Sequence, residues 1–146
     1  MIAKGGAMKV RDIMTTEVVT LKVDEELSLA SDIMTLARIR HLPIVEGDRL
    51  AGIISQRDLY KASLDSVMGY DYGQARDHLK TVTIKEVMID KVITIGPDTQ
   101  IHAAGQILIE KKIGCLPVIK NNALLGMVTE TDILQFYVSR HQKEIA

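Results

Sequence analysis

Two short polar patterns in this chain have residue types that can either cap a helix or contact a sugar. Ser55 stands three residues before Asp58, and Thr129 stands three residues before Asp132. A hydroxyl at the first position can accept a backbone N–H at a helix start, and the acid complements the positive helix end. A carboxylate there can instead accept hydrogen bonds from a ribose diol, and the same helix end favours a nearby phosphate. The spacing alone leaves both interpretations open.

The choice of acid gives a weak preference between the two interpretations. The usual partner of a capping Ser or Thr is Glu or Gln, because the longer side chain reaches back to the cap. Asp58 and Asp132 are shorter. We therefore expect their carboxylates to be freer for a ligand than a Glu in the same place.

The pattern occurs twice because the chain contains an internal duplication with an offset of 74 residues. Aligning Val10 with Ile84 requires no gap as far as Tyr60 and Leu134. The repeat predicts two copies of one structural unit. Identical pairs include Met14/Met88, Asp24/Asp98, Pro43/Pro117, Gly52/Gly126 and Asp58/Asp132.

Each copy has the hydrophobic pattern of a β-α-β-β-α unit. A β-branched strand is predicted at residues 18–21 and 92–95, followed by a helix with apolar residues three and four apart. We expect Asp24 and Asp98 to be the N-caps of these helices. Two further strands form a hairpin whose turns contain Gly47 in one copy and Asn121–Asn122 in the other. The second helix begins at the Ser or Thr of the polar pattern.

The duplication also suggests how the chain is divided. We expect an N-terminal tail at residues 1–9, a first repeat at 10–67, a linker at 68–82 with a short helix near 74–79, and a second repeat at 83–146. One such repeat is too small to bury both faces of its own sheet. The predicted fold class is therefore α/β (α+β), with two repeats packed about a pseudo-twofold axis.

Composition argues against several classes of function. The net charge of −1 and the 3% aromatic content disfavour nucleic-acid and membrane surfaces. No apolar stretch approaches a spanning helix, so a cytoplasmic protein is expected. The single cysteine, Cys115, and the scattered histidines offer no metal site. The chain has no P-loop, nucleophile elbow or HExxH motif, so we do not expect an enzyme.

Several segments together resemble a tandem pair of CBS (cystathionine β-synthase) domains, the arrangement called a Bateman module. Those segments are Asp12–Thr15, Arg40–Val45 and Gly52–Leu59 in the first copy, and Glu86–Met88, Gly114–Val118 and Gly126–Ile133 in the second. Each motif is short, but two full sets occur in the same order and register. The arrangement is similar to small stand-alone CBS-pair proteins of the acetoin-utilisation (AcuB) type.

The resemblance implies a regulatory module that binds AMP, ADP, ATP or S-adenosylmethionine in clefts between the repeats. It also implies a homodimer and a regulated partner protein whose identity the sequence does not reveal. By the resemblance, Asp58 with Ser55 and Asp132 with Thr129 contact the ribose and phosphate. The other implied contacts are the adenine-slot residues Thr15, Thr16, Val18 and Val92, and the wall residues Arg40, His41, Pro43 and Pro117.

The two implied clefts differ in their polar residues. Arg57, Arg40 and His41 accompany Asp58, and all three suit phosphate oxygens. Thr131, Gly114 and Cys115 stand at the matching positions near Asp132, and Glu130 adds negative charge. We expect phosphorylated nucleotide at Asp58 and either no ligand or a less anionic adenosyl ligand at Asp132. Thr15 and Thr16 would enrich the second cleft if segments from opposite copies meet there.

A second hypothesis requires no ligand. The clefts would then be vestigial, and the chain would be a dimerisation or interaction scaffold that uses the apolar faces of its helices. In that case Ser55 and Thr129 are only helix caps.

Overall fold

The computed structural model describes residues 8–66 and 77–145, with side chains described at 8–63 and 77–142. The predicted tail before Met8 and most of the predicted linker lie outside these residues, although residues 77–79 are helical. The described chain forms two compact units. One unit is Val19–Val92, and the other joins the residues up to Val18 with those from Ile93 onward.

The unit Val19–Val92 has the predicted β-α-β-β-α order. Strand β1 pairs in parallel with β2, which matches a helical crossover between them, and β2 pairs antiparallel with β3 as a hairpin. A bulge between Ile44 and Val45 leaves Ala51 as the extra residue of β3. The elements are β1 at Leu21–Lys22, α1 at Leu27–Ala37, β2 at His41–Glu46, β3 at Arg49–Ser55 and α2 at Gln56–Ser66.

The second unit repeats this arrangement with a shorter first strand. Ile95 forms only a parallel bridge to Val118, with Ile95 N–H donating to the Pro117 carbonyl at 3.1 Å. The hairpin has its bulge at the matching place, between Val118 and Ile119. The elements are α4 at Ile101–Lys111, β4 at Cys115–Lys120, β5 at Ala123–Thr129 and α5 at Glu130–Ile145. The short helix α3, at Ile84–Val87, precedes them in the chain and belongs to the unit Val19–Val92.

Turn residues have the backbone conformations that their types predict. Gly47, Asn121 and Asn122 have positive φ values of 61°, 52° and 66°, as Gly and Asn tolerate. Arg38 and Lys112 also have a φ of 55°, directly after α1 and α4. The next residue in each copy closes the helix end, with Ile39 N–H donating to Met34 and Ile113 N–H donating to Leu108, both at 3.2 Å. This is the bonding of a Schellman motif, which usually has Gly at the left-handed position.

The strands predicted at residues 18–21 and 92–95 are shorter than expected. Only Leu21–Lys22 and the bridge at Ile95 pair with a neighbouring strand. Val19 and Ile93 are exposed, at 45% and 37%. The chain passes from one compact unit to the other at these residues, so their β-branched side chains mark a connection instead of a paired strand.

Each unit contains a segment from the other repeat. We call residues 8–18 and 82–92 the exchanged segments. Residues 8–18 join the unit that contains α4, where Val10 N–H donates to Thr99 at 2.8 Å and Ile101 N–H donates to Met8 at 3.2 Å. Residues 82–92 join the unit that contains α1, where Leu27 N–H donates to Val82 at 2.8 Å.

The exchanged segments explain why the predicted N-caps are wrong. The N-caps are Glu26 and Gln100, two residues after Asp24 and Asp98, and neither makes a side-chain capping bond. The first helical N–H groups, of Leu27 and Ile101, already bond to carbonyls of the exchanged segments. One of the four unpaired N–H groups at each helix start thus has its partner in an exchanged segment. Asp98 instead pairs with Arg11, and with Lys9 Nζ at 3.5 Å.

Both hydrophobic cores include one residue of an exchanged segment. Ile84 is fully buried in a core that contains Leu27, Leu42 and Ile54. Val10, its aligned counterpart, is fully buried in the core of the other unit with Leu116 and Val128. Each core is thus completed by the other repeat.

Candidate functional site

The first polar pattern forms a reciprocal helix cap in the unit Val19–Val92. Ser55 N–H donates to Asp58 Oδ2 at 2.8 Å, and the Ser55 hydroxyl donates to the same oxygen at 2.9 Å. Asp58 N–H in turn donates to Ser55 Oγ at 3.1 Å. Asp58 thus takes part in the cap despite its short side chain, and its Oδ2 is used by these bonds.

The second pattern forms the same cap in the other unit. Thr129 N–H donates to Asp132 Oδ2 at 2.9 Å, and Asp132 N–H donates to Thr129 Oγ1 at 3.1 Å. Both aspartates are half-buried. In each cap the bonds to described residues use Oδ2, and Oδ1 receives no donor from the part of the chain that the structure describes. Among the described residues, capping therefore uses one oxygen of each carboxylate.

The start of the neighbouring strand lies beside each cap. Gln56 N–H donates to the Arg40 carbonyl at 2.8 Å, and Glu130 N–H donates to the Gly114 carbonyl at 3.0 Å. In register, His41 pairs with Ser55 and Cys115 pairs with Thr129. The structure thus brings the predicted wall residues next to the predicted ribose contacts within each unit.

The exchanged segment forms another side of each candidate site. Thr15 and Met127 exchange two backbone hydrogen bonds of 2.9 Å, two residues before Thr129. Ile89 and Ile53 exchange two bonds of the same length, two residues before Ser55. Residues 15–18 therefore accompany Asp132, and residues 89–92 accompany Asp58.

A glycine allows this approach in both units. A β-carbon on Gly126 would lie 2.6 Å from the Thr15 carbonyl oxygen, and one on Gly52 would lie 2.8 Å from that of Ile89. Met14 and Met88 cover the same two positions with their sulfur atoms, at 2.9 Å and 2.6 Å. Sequence reasoning did not connect these residues, although the identical pairs Met14/Met88 and Gly52/Gly126 carry the signal.

The predicted site residues differ in exposure. Arg40, Arg57, Thr131, Thr15 and Thr16 are exposed, whereas Val18, Val92 and His41 are half-buried. Pro43 and Pro117 are fully buried.

The electrostatic surroundings of the cap are best seen at Cys115. Burial, and then the negative charge of Asp132, raise the pKa of the Cys115 thiol to about 12. The thiol is consequently neutral near pH 7. The effect also shows that the Asp132 carboxylate influences the start of β4.

Neither a metal centre nor a membrane span was found within residues 8–66 and 77–145. No three His, Cys, Asp or Glu side chains in these ranges are placed to bind one ion. None of the helices there combines the length and apolar character that a bilayer crossing requires.

Comparison with known proteins identifies the family. The CBS domain model matches the chain twice, at residues 10–65 and 84–139. The chain belongs to the CBS domain family. The two matches correspond to the two copies of the duplication, and they confirm the resemblance that the repeated motifs indicated.

Similar proteins share the fold over nearly the whole chain. An acetoin utilization protein (AcuB) from Vibrio cholerae is 30% identical, with a TM-score of 0.80 over 96% of this chain and 98% of that one. The CBS domain pair of protein MJ0100, solved in complex with 5′-methylthioadenosine and S-adenosyl-L-methionine, is 27% identical, with a TM-score of 0.77 over 92% and 98% of the two chains. YhcV, a CBS domain-containing protein of Bacillus subtilis, is 28% identical over 85% of this chain and 81% of its own length.

These structures confirm the predicted α+β fold class.

Other curated relatives are much longer proteins. The chain spans between 14% and 46% of the length of the first five that it matches.

Proposed function

We propose that this CBS pair is a regulatory module that binds adenosine-containing ligands and is not itself an enzyme. The ligands are an adenine nucleotide (AMP, ADP or ATP) or an S-adenosyl compound, bound near Asp58 and Asp132. The observation that carries the proposal is that each capping aspartate bonds through Oδ2, and that Oδ1 has no donor among the residues that the structure describes.

The chemistry of each site suits a nucleoside. A carboxylate oxygen can accept a hydrogen bond from a ribose hydroxyl, as acidic residues do in dinucleotide sites. The helix start that Ser55 or Thr129 caps favours a phosphate beyond the ribose. The exchanged segment, at Thr15–Val18 or Ile89–Val92, would meet the adenine edge through its backbone groups. The MJ0100 pair, which binds two adenosyl compounds, supports this ligand class.

The regulatory part of the proposal follows from the way each site is assembled. A ligand at Asp132 would contact the cap from one repeat and the Thr15 segment from the other. Binding would then favour the arrangement in which the two are together, and a partner protein or attached domain that distinguishes this arrangement would respond.

Replacing Asp58 by Glu separates ligand binding from helix capping. Glu is the usual residue at this position of a capping box, so Asp58→Glu should keep the free energy of unfolding within about 0.5 kcal/mol. The longer side chain displaces the ribose acceptor, and the loss of hydrogen bonds to a charged group should weaken binding by about 1.5–3 kcal/mol, or roughly 10- to 100-fold. Titration calorimetry with AMP and S-adenosylmethionine measures the affinity, and urea unfolding measures the stability.

Asp132→Glu is the matched variant for the second site. Each variant should affect one binding event and leave the other unchanged. If wild-type protein binds adenosine compounds and neither variant alters their affinity, the two carboxylates serve only as caps and the ligand lies elsewhere.

We also propose that the chain forms a homodimer through its last helix. Leu134, Tyr137 and Val138 are 64%, 45% and 49% exposed and stand at i, i+3 and i+4, on one face of α5. Tyr60, at the position aligned with Leu134, is 61% exposed on α2. The apolar stripe on α5 favours burial against a second copy, and Tyr60 extends the apolar surface to α2. A dimer is compatible with either the ligand-sensing or the scaffold hypothesis.

A further inference from the structure

The two proposed sites have the same backbone geometry but opposite local charge. Each consists of a strand start, a cap and three residues of an exchanged segment. Near Asp58 these are residues 40–41, 55–58 and 89–91. Arg40, Arg57 and Lys91 outnumber Asp58 and Asp90, which leaves a net charge of +1 with His41 neutral.

The matching positions near Asp132 contain only negative charges. They are residues 114–115, 129–132 and 15–17, in which Glu17, Glu130 and Asp132 give a net charge of −3. The two sites therefore differ by four charges.

Half of this difference comes from the exchange of segments. If each segment stayed with its own repeat, Glu17 would accompany Asp58 and Lys91 would accompany Asp132, and the net charges would be 0 and −2. In the structure, the bonds of Thr15 to Met127 bring Glu17 to the side of Asp132, and the bonds of Ile89 to Ile53 bring Lys91 to the side of Asp58. Glu17 and Lys91 lie two residues beyond these bonds, about 7 Å along the chain. That spacing is of the order of the screening length of about 8–10 Å, so each charge contributes to the potential around the bridge beside the site.

We infer that this charge difference divides the ligands between the sites, and the inference rests on the proposed function. The site at Asp58 takes the anionic class, a phosphorylated adenine nucleotide. The site at Asp132 takes a neutral or cationic adenosyl compound, such as a thioether or sulfonium. Lys91 and Glu17, each supplied by the opposite repeat, are specificity-determining residues.

Reversing the charge of Lys91 tests the first half of the inference. Titration calorimetry on the full chain with AMP should show binding about three- to tenfold weaker for Lys91→Glu than for wild type. Binding of 5′-methylthioadenosine, which carries no phosphate, should change by less than about twofold. Arg49→Glu is the matched control, because it makes the same charge change at the far end of β3, about 20 Å from Ser55, and should leave AMP binding unchanged.

Reversing the charge of the second site tests the other half. Glu17→Lys combined with Glu130→Lys gives the Asp132 site the net charge of the Asp58 site. This double variant should bind a second equivalent of AMP and should bind S-adenosylmethionine about tenfold or more weakly than wild type does. Circular dichroism and thermal unfolding verify that the double variant is folded.

The outcomes separate this inference from the proposed function. If AMP and 5′-methylthioadenosine bind but Lys91→Glu and the double variant leave both affinities unchanged, charge does not select the ligands and the inference is overturned while the function stands. If no adenosine compound binds the folded wild-type chain, both are overturned.

Discussion

A β-carbon at Gly126 would lie 2.6 Å from the Thr15 carbonyl oxygen and 2.9 Å from Met14 Sδ. The oxygen is fixed because it accepts the Met127 N–H at 2.9 Å. Met14 can adjust, since its thioether chain is flexible, but a backbone carbonyl cannot move without breaking the bridge. The absence of a side chain at this position is thus what allows the exchanged segment to bind the strand beside Asp132.

Gly126→Ala should lower the free energy of unfolding by about 1–3 kcal/mol, as insertion of an atom into a close-packed site does. Urea unfolding at equilibrium measures the change, and Gly52→Ala should act alike in the other unit. Gly96→Ala is the control, because a β-carbon there would have no neighbour within 4 Å. Equal stability of the Gly126 and Gly96 variants would show that the Thr15 segment can shift freely.

The helices α1 and α4 are each followed by a residue in the left-handed conformation. Arg38 and Lys112 occupy a conformation that costs a residue with a side chain about 1–2 kcal/mol relative to Gly. Gly at the same position loses about 0.4–1 kcal/mol through the greater freedom of the unfolded chain. The balance favours Gly at these two positions.

Lys112→Gly should therefore raise the free energy of unfolding, by up to about 1 kcal/mol. Lys111→Gly provides a matched comparison one residue earlier, where Lys111 is the last residue of α4 and Gly should destabilise by roughly 0.5–1 kcal/mol. Thermal or urea unfolding of the two variants should give changes of opposite sign. Two changes of the same sign would contradict the assigned helix end.

Elements determined by local patterns could be predicted from the sequence, and those determined by distant pairing could not. Gly47 and Asn121–Asn122 specify their turns through their own conformational preferences, so both hairpins were predicted correctly. The spacing of Ser55 and Thr129 from their aspartates also indicated a helix cap as one of two interpretations. The cap expected at Asp24 was wrong because α1 begins two residues later, after Glu26, where the first helical N–H bonds to the Val82 carbonyl of the exchanged segment.

The candidate sites show the same division. The positions of Asp58 and Asp132 follow from a local motif. The residues that accompany each of them depend on two isolated bridges, Thr15 to Met127 and Ile53 to Ile89. Bridges of single residues leave no periodic pattern in a sequence, so the approach of Thr15 and Thr16 to Asp132 could be raised only as one possible arrangement, and Glu17 and Lys91 were not connected with the sites.

The assembly of the whole molecule depends on the exposed apolar face of α5. Leu134→Glu should shift the proposed homodimer toward monomer, because a charge would replace a side chain that is buried against the second copy. Sedimentation velocity over a range of protein concentrations measures the shift. Gln135→Glu adds the same charge at a polar exposed position of the same helix and should leave the distribution unchanged. A wild-type chain that stays monomeric at all concentrations would rule out the dimer.

The exchanged segments have a consequence for a chain that has been cut. A protease acting between residues 66 and 77 would leave two fragments, but each compact unit would still contain parts of both. Val10 would remain buried in the core of one unit and Ile84 in that of the other. The two pieces would therefore stay associated without a covalent bond and would separate only when both cores unfold.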